Sequence, residues 1–592
     1  MSSLRPRFSR AALGALAILL AGGCVPAAGP GVAEKADIVL RGGRVATVDE
    51  DLPAAQAVAI RGAWIAAVGS DAEVAPWIGP DTRVIELDGR LLTPGFIEGH
   101  GHFLALGDAE LILDLTQAST WEDIVAMVAA AAAQTAPGEW IRGRGWHQEK
   151  WTEEPVPQVE GNPVHASLSA ASPDHPVVLE HASGHASFAN ANAMALAGIG
   201  PDTAPPPGGE IVRDASGAPT GLLRETAQNL VWEVVAAARA ERDPEAIEAE
   251  ARRMVELAGA EALAHGVTSF HDAGVSFEAI DFFRRLEEEG ALPVRLYAMV
   301  RSASNDDLAR RLDAYRSVAV GNDFLAVRAI KRQIDGALGS HGAWLLEPYA
   351  DLPESVGLVL EPEDEIRETA RLAIEHGYQL NTHAIGDRAN RVVLDIYEEA
   401  FATRPSAPGG AGADLRWRVE HAQHLDPADL RRFGPLGVIA SMQGVHCTSD
   451  GSWVPQRIGA ERARTGAYMW RSLIDGGVVI ANGTDVPVER IDPIASFYAS
   501  VSRRLPDGSL FYPEQAMTRD EALASYTINN AYAAFEEDLK GSIAVGKLAD
   551  LAVLSKDILT VPAEEIPSAE VDLTIVGGEV RYERDAWVRP ET

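Results

Sequence analysis

The sequence predicts an α/β protein, a (β/α)8 TIM barrel with a flanking β-sandwich built from both chain ends and a large insertion after barrel strand 1. Three observations predict this fold. Apolar runs that resemble buried strands recur through the middle of the chain, and most are followed by an amphipathic stretch. Short alternating segments lie at both ends, and residues 111–257 are too long for one helix between two barrel strands. The eight apolar runs begin near Phe96, Thr268, Val294, Val327, Gln379, Arg418, Val438 and Val479.

The β-sandwich is assigned to residues 36–94 and 538–592. Short runs with period-two alternation are separated by turn dipeptides such as Gly42-Gly43, Arg61-Gly62 and Asp88-Gly89, a pattern typical of a small antiparallel unit. A matching set of runs begins at Gly541. The simplest arrangement pairs the two ends of the chain into one sandwich beside everything that lies between them.

The barrel is assigned to residues 95–537, with an inserted lid or substrate domain at about 111–257. Residues 244–264 have apolar positions at helical spacing and end before Gly266, a residue that commonly terminates helices. Trp140, Trp146 and Trp151 lie in the insertion. They have two interpretations that the sequence does not separate, the lining of an apolar substrate pocket or the packing of helices.

The amino end resembles a bacterial export signal. Residues 1–23 combine a positive segment containing Arg5, Arg7 and Arg10 with an apolar run that is too short to span a membrane. The run ends at Cys24 in a pattern that resembles a lipobox, which implies a lipid anchor on that cysteine, and residues 24–35 form a linker. We expect an exported protein, periplasmic or anchored to the outer membrane as a lipoprotein; the alternative is a plain secretory signal cleaved nearby.

Charge and cysteine content exclude several classes of function. The chain has 51 basic and 86 acidic residues, a net charge of −35, so a nucleic-acid partner is not expected because phosphate binding needs a basic face. Two cysteines, Cys24 and Cys447, are too few for a disulfide scaffold or a cysteine-rich zinc module. The expected partner is a small-molecule substrate, with membrane contact only through Cys24.

The chemistry-bearing residues follow the predicted strands, where this fold places active sites. His100 and His102 end strand 1, and because alternate residues of a strand share a side, both can face the barrel axis. His383 follows strand 5, His421 follows strand 6 and Asp485 follows strand 8. Each alone fits a hydrogen-bonded histidine or a turn, but together they indicate a site for Zn²⁺ or Fe²⁺.

From about Ala36 to its end, the chain resembles the metal-dependent amidohydrolase superfamily, in the branch that contains N-substituted formamide deformylases (amidohydrolase family 3). Where this branch reads Gln-Pro after strand 7, the chain has Gln443-Gly444, so the resemblance does not carry a particular substrate over. The motifs that carry the resemblance are Gly143-Arg144-Gly145-Trp146 with Trp151, Gly184-His185-Ala186-Ser187-Phe188-Ala189-Asn190, Lys331-Arg332-Gln333-Ile334-Asp335-Gly336-Ala337 and Ser441-Met442-Gln443.

The resemblance implies a divalent metal, Zn²⁺, with one or two ions bound and Asp485 as catalytic residue. It implies that Lys331 is N6-carboxylated and bridges two metals; the alternative is a plain lysine paired with Asp335 or Glu420. His424 is expected beside the ligands or on the surface, and a homodimer is also implied. The implied metal ligands are His100, His102, Lys331, His383, His421 and Asp485, and the candidate substrate contacts, which packing would explain as well, are His185, Trp146 and His446.

The predicted function is hydrolysis of a non-peptide C–N bond, in an N-substituted amide or formamide, by hydroxide that a metal activates. An amide nitrogen leaves poorly unless it is protonated, which gives Asp485 a role as proton carrier. Two alternatives stay open at this point. The same metal site suits an ester, lactone or phosphoester, and a periplasmic lipoprotein that binds a ligand without turnover would share the export signal.

Overall fold

The centre of the molecule is a parallel eight-stranded sheet that curls into a barrel. In the computed structural model, which describes residues 35–403, 414–585 and 587, the strands are adjacent in chain order. Strand 8 returns beside strand 1, where the Asp485 N–H donates to the His100 carbonyl over 2.7 Å. Barrel strands 1 to 8 are Phe96–Gly101, Val267–Val275, Arg295–Val300, Leu325–Gln333, Gln379–Ala384, Arg418–His421, Ile439–Gln443 and Ile480–Gly483. The predicted barrel is confirmed, and each strand begins within two residues of its predicted start.

Helices cover the outside of the barrel. The helix before strand 2 spans Pro244–Ala264, as the sequence predicts; the Asp243 side chain caps it, and Gly266 with φ of +75° follows its end. Residue 257, where the sequence predicts the end of the insertion, lies inside this helix rather than at its boundary. The other helices of the barrel region are Phe103–Ala109, Phe277–Glu288, Asn305–Tyr315, Glu363–His376, Asp387–Ala402, Phe433–Leu436, Gly444–Asp450, Val454–Ile458, Ala460–Gly466, Trp470–Asp475, Pro493–Ser502, Arg519–Ser525 and Ile528–Ala533.

Two sheets from the chain ends form the flanking sandwich. Leu551–Leu554 pairs antiparallel with Leu91–Pro94, which joins the two ends as the sequence predicts. Apolar side chains from both sheets fill the space between them. In spatial order, one sheet contains Trp64–Gly69, Ala57–Arg61, Ile38–Arg41 and Arg83–Glu86, and the other contains Glu579–Glu583, Val571–Val576, Leu551–Leu554, Leu91–Pro94, Arg44–Ala46 and Ala54–Ala55.

The insertion contains a six-stranded sheet of its own, with two apolar clusters separate from the barrel core. A turn that reaches the barrel mouth connects two of its strands, Val177–His181 and Ala186–Ala189. The strands, in spatial order, are Gly209–Arg213, Pro219–Glu225, Ala186–Ala189, Val177–His181, Ile141–Trp146 and Leu113–Asp114, and the helices are Trp121–Ala132, Ala166–Ala171, Ala191–Leu196 and Asn229–Ala240.

The predicted signal peptide and Cys24 lie outside the described residues, as does nearly all of the linker, so these stay predictions. In the part of the chain that the structure describes, no helix has both the length and the apolarity needed to cross a membrane.

Candidate metal centre

The barrel brings the predicted ligands together at the carboxyl ends of its strands. The Asp485 Oδ1 atom lies 3.3 Å from His102 Nε2 and 3.6 Å from His100 Nε2. The ring of His421 lies 4.7 Å from that of His100 and 4.4 Å from that of His383, measured between centroids. Most of these side chains are buried, and His102, at 25% exposure, marks the open side of the site.

Two hydrogen bonds set the tautomers of the central histidines. His100 Nδ1 makes a short hydrogen bond to the Glu420 carboxylate, and His421 Nδ1 lies 2.9 Å from Gln443 Oε1. Both partners are oxygen acceptors, so Nδ1 carries the proton in each ring. The Nε2 atom of each histidine is therefore unprotonated, the arrangement of a metal-binding histidine that a neighbouring acceptor orients.

The donor set fits a divalent cation. His100, His102 and Asp485 form one group, and His421, His446 and Asp485 form a second, with the ligand atoms of each group within 4.8 Å of one another. Burial lowers the pKa of His100, His383 and His421, and that of His102 to about 4, so these rings are neutral. Among the described residues, His383 Nε2, His446 Nε2 and Asp485 Oδ1 are buried without a hydrogen-bond partner. Converging neutral nitrogens and a carboxylate are ligands that Zn²⁺ prefers.

Lys331 lies at the same centre, with its Nζ atom 3.4 Å from His100 Nε2 and 3.4 Å from the Ala273 carbonyl. Burial and the nearby Arg301 charge lower the pKa of the amine to about 8. Within the described ranges no carboxylate oxygen lies within 4.0 Å of Nζ, so the ion pair with Asp335 or Glu420 that the sequence allowed is not formed. Asp335 instead accepts hydrogen bonds from the backbone N–H groups of Trp344, Ile385 and Gly386.

His185 reaches the centre from the inserted domain, and its ring centroid lies 5.3 Å from that of His383. Its Nδ1 atom lies 2.7 Å from Glu225 Oε2, a buried carboxylate that no sequence motif indicated. Burial opposes a charge on the imidazole, but the Glu225 carboxylate outweighs it and raises the pKa of His185. The structure therefore places this candidate substrate contact at the barrel mouth with a carboxylate behind it.

The other candidate substrate contacts lie in different surroundings. His446 stacks beside His421 at a centroid distance of 6.4 Å, and its Nδ1 lies 3.0 Å from Gln423 Nε2. Trp146 belongs to the apolar core of the insertion, where its indole N–H donates to the Leu179 carbonyl over 2.9 Å. His424 is buried rather than on the surface, and it is in neither donor group.

A cavity of about 390 Å³ separates the insertion from the barrel loops. Trp146 forms part of its wall, but charged and polar side chains dominate, among them Glu149, Arg224, Ser340 and Arg457. Trp140 and Trp151 pack at the edges of the two apolar clusters of the insertion. All three tryptophans pack in these apolar clusters, Trp146 also lines the cavity, and the cavity is polar rather than apolar.

Comparison with known proteins confirms the resemblance. Residues 83–582 match the model of the amidohydrolase family. The chain is 34% identical over 558 residues to the protein LONG AFTER FAR-RED 3 of Arabidopsis thaliana, covering 92% of both chains. It is 31% identical over 554 residues to the N-substituted formamide deformylase of Arthrobacter pascens, covering 93% of this chain and 98% of that one. A metal-dependent hydrolase from Pyrococcus furiosus has a similar structure, with a TM-score of 0.66, 26% identity and coverage of 88% and 100%.

Proposed function

Because the chain belongs to the amidohydrolase family, we propose that it is a metal-dependent hydrolase that cleaves the C–N bond of an N-substituted amide or formamide. The observation that carries the proposal is the convergence of His100, His102, His421 and Asp485 at the barrel mouth, where Asp485 Oδ1 is buried without a hydrogen-bond partner among the described residues. Such a set of lone pairs is costly to bury unless a cation satisfies it.

The proposed ligands are the four residues just named, with His383 and an N6-carboxylated Lys331 completing a two-ion site for Zn²⁺. When bound there, a divalent cation lowers the pKa of a water molecule and polarises the substrate carbonyl. Lys331 suits carboxylation by CO₂ because its amine has no carboxylate partner within ion-pair distance among the described residues and lies against His100. The carbamate would supply two oxygens where the free ammonium supplies none.

Asp485 is the proposed proton carrier. Its Oδ1 atom has no hydrogen-bond donor among the described residues, so it is free to accept a proton from the attacking water. The water oxygen bonds to the carbonyl carbon, the C–N bond breaks, and the proton passes from Asp485 to the departing nitrogen. The products are a carboxylic acid, which is formic acid when the substrate is a formamide, and a neutral amine.

The test combines metal analysis with a substrate panel. We expect protein purified with added Zn²⁺ to hydrolyse N-substituted formamides or acetamides, and to lose that activity after chelation. The panel includes esters, lactones and phosphoesters of similar size. Turnover of these alone would replace the amide proposal, and absence of both metal and turnover would favour a ligand-binding role.

Removing Lys331 is expected to change the metal content. In a Lys331→Ala variant we expect about two ions per chain to fall to one or fewer, because the bridging ligand is lost, measured by plasma mass spectrometry on protein grown with bicarbonate. Lys547→Ala is the matched control, since among the described residues its half-buried amine donates to Glu537 O and Ser542 Oγ, away from the metal centre. Equal metal content in all three proteins would contradict the bridging role.

Removing the charge behind His100 is expected to weaken the metal site. A Glu420→Gln variant should bind Zn²⁺ about 10–100-fold more weakly, because the hydrogen bond that orients His100 loses its carboxylate. Competition with a chromophoric chelator measures the affinity. Glu287→Gln is the control, because that carboxylate accepts backbone N–H bonds from Phe324 and Leu325, which an amide oxygen also accepts. Unchanged affinity in Glu420→Gln would show that the tautomer of His100 does not depend on this carboxylate.

A further inference from the structure

The inserted domain contributes a histidine to the metal centre that belongs to neither donor group. His185 lies in the turn between Val177–His181 and Ala186–Ala189, and its side chain is 13% exposed. It is close to the proposed ligand His383, with 5.3 Å between ring centroids, and its own Nδ1 atom is engaged by Glu225. A histidine so placed is beside the ligands and available to a substrate.

Glu225 holds this histidine at two points. Its Oε2 atom lies 2.7 Å from His185 Nδ1, and its backbone N–H donates to the His185 carbonyl over 2.8 Å. Its other carboxylate oxygen, Oε1, accepts a hydrogen bond of 3.1 Å from Ser340 Oγ. Because Nδ1 is used by Glu225, Nε2 is the ring nitrogen left for a substrate. Ser340 also lines the polar cavity, so this bonded chain connects the cavity to the metal centre.

The surrounding backbone is shaped to admit the Glu225 side chain. Glu225 has φ of +51°, a region that residues other than glycine rarely adopt. At Gly336 and Gly342, a Cβ atom would lie 2.1 Å and 2.0 Å from Glu225 Oε1, so any other residue would clash with the carboxylate. A strained residue, two glycines and a carboxylate at 1% exposure all lower stability. An apolar side chain would fill the same space without the desolvation cost of a carboxylate if packing were its only role.

We infer that His185 is a further catalytic residue, which hydrogen-bonds to the reacting amide through Nε2, and that Glu225 is its positioning residue. The inference rests on the proposed amide hydrolysis. It gives the inserted domain a direct part in the reaction, because the domain and the loop after barrel strand 4 together fix the ring. Loss of either side chain should lower kcat much more than it raises KM, because the contact matters most where the amide changes geometry.

Chemical rescue tests this role. In the Zn²⁺-loaded enzyme, His185→Gly should lower kcat about 10²-fold or more, and millimolar imidazole should restore at least a tenth of the lost rate. Glu225→Gln should lower kcat at least about tenfold. In the double variant, imidazole should not rescue, because the carboxylate that would hold it is gone. Metal content should match the wild type in every variant.

His175→Gly is the matched control. This buried histidine of the same domain bonds through Nδ1 to the Glu139 carbonyl, so its loss should neither change kcat nor respond to imidazole. A wild-type kcat in His185→Gly would overturn the inference alone. So would a loss of kcat that imidazole does not restore and that accompanies a fall in Tm like that of His175→Gly. A wild-type enzyme without amide turnover would overturn the proposed function and this inference with it.

Discussion

Replacing Asp485 by asparagine is expected to lower kcat for amide hydrolysis by about 10²–10⁴-fold, the range typical of losing a proton-transfer group. The side-chain amide of asparagine cannot take a proton from water. Its NH₂ group would also face the lone pair of His100 Nε2. Asparagine is the informative replacement because Asp485 has φ of +59°, a left-handed conformation that asparagine tolerates and alanine does not. The backbone should therefore stay in place, and steady-state kinetics with a circular dichroism spectrum measure the chemical loss.

Asp387→Asn provides the comparison for Asp485→Asn. Asp387 follows barrel strand 5 and accepts a 2.8 Å hydrogen bond from the Leu346 N–H, which an asparagine oxygen also accepts. We expect its kcat to stay within about twofold of the wild type, as for substitutions that keep the hydrogen bond. A kcat near the wild-type value in Asp485→Asn would assign the proton transfer to another group.

The sequence was sufficient for the barrel and for the central donors because both depend on local pattern. Period two places His100 and His102 on one side of a strand, and a strand-by-strand count places His383, His421 and Asp485 at the same end of the barrel. These relations need no knowledge of which distant residues meet. The helix at Pro244–Ala264 was predictable for the same reason, since its apolar spacing and the glycine that follows it, Gly266, lie within one segment of the sequence.

The groups that orient those donors could not be predicted in this way. Glu420 is 320 residues from His100, and strand alternation places it on the side opposite to His421. The backbone departs from strand geometry at this point, with φ of +75° at His421 and +44° at Ala422, and both side chains reach the site. Glu225 was missed because its partners, His185 and Ser340, come from two separate loops. For Trp146, apolar sequence alone does not distinguish a pocket wall from a packed core.

The largest expected effect on stability concerns the joint between barrel and sandwich. Arg295 on barrel strand 3 makes a bidentate ion pair with Asp550, at 2.7 and 3.1 Å, and both side chains are 3% exposed. An Arg295→Met variant should lose about 3–5 kcal/mol, because the buried carboxylate keeps its desolvation cost without its cation. The urea midpoint at pH 7 measures the loss. Arg371→Met, which removes a surface arginine paired with Glu368 and Glu375, should shift the midpoint little.

The pH dependence separates charge pairing from packing at this joint. Burial opposes ionisation of Asp550, but Arg295 and the Gly577 N–H outweigh it and hold the pKa of Asp550 below its usual value. A pKa lowered in the folded state gives stability that is present above the unfolded value, about 3.9, and is lost as the pH falls towards the folded value. In Arg295→Met the Asp550 carboxylate is buried without its cation, so its pKa should instead be raised and the group should become neutral on acidification. The difference in midpoint between wild type and variant should therefore be largest at pH 7 and shrink by pH 4. An equal difference at both pH values would mean that Arg295 stabilises the joint by packing against Phe324, whose ring lies 4.5 Å from its guanidinium, rather than by its charge.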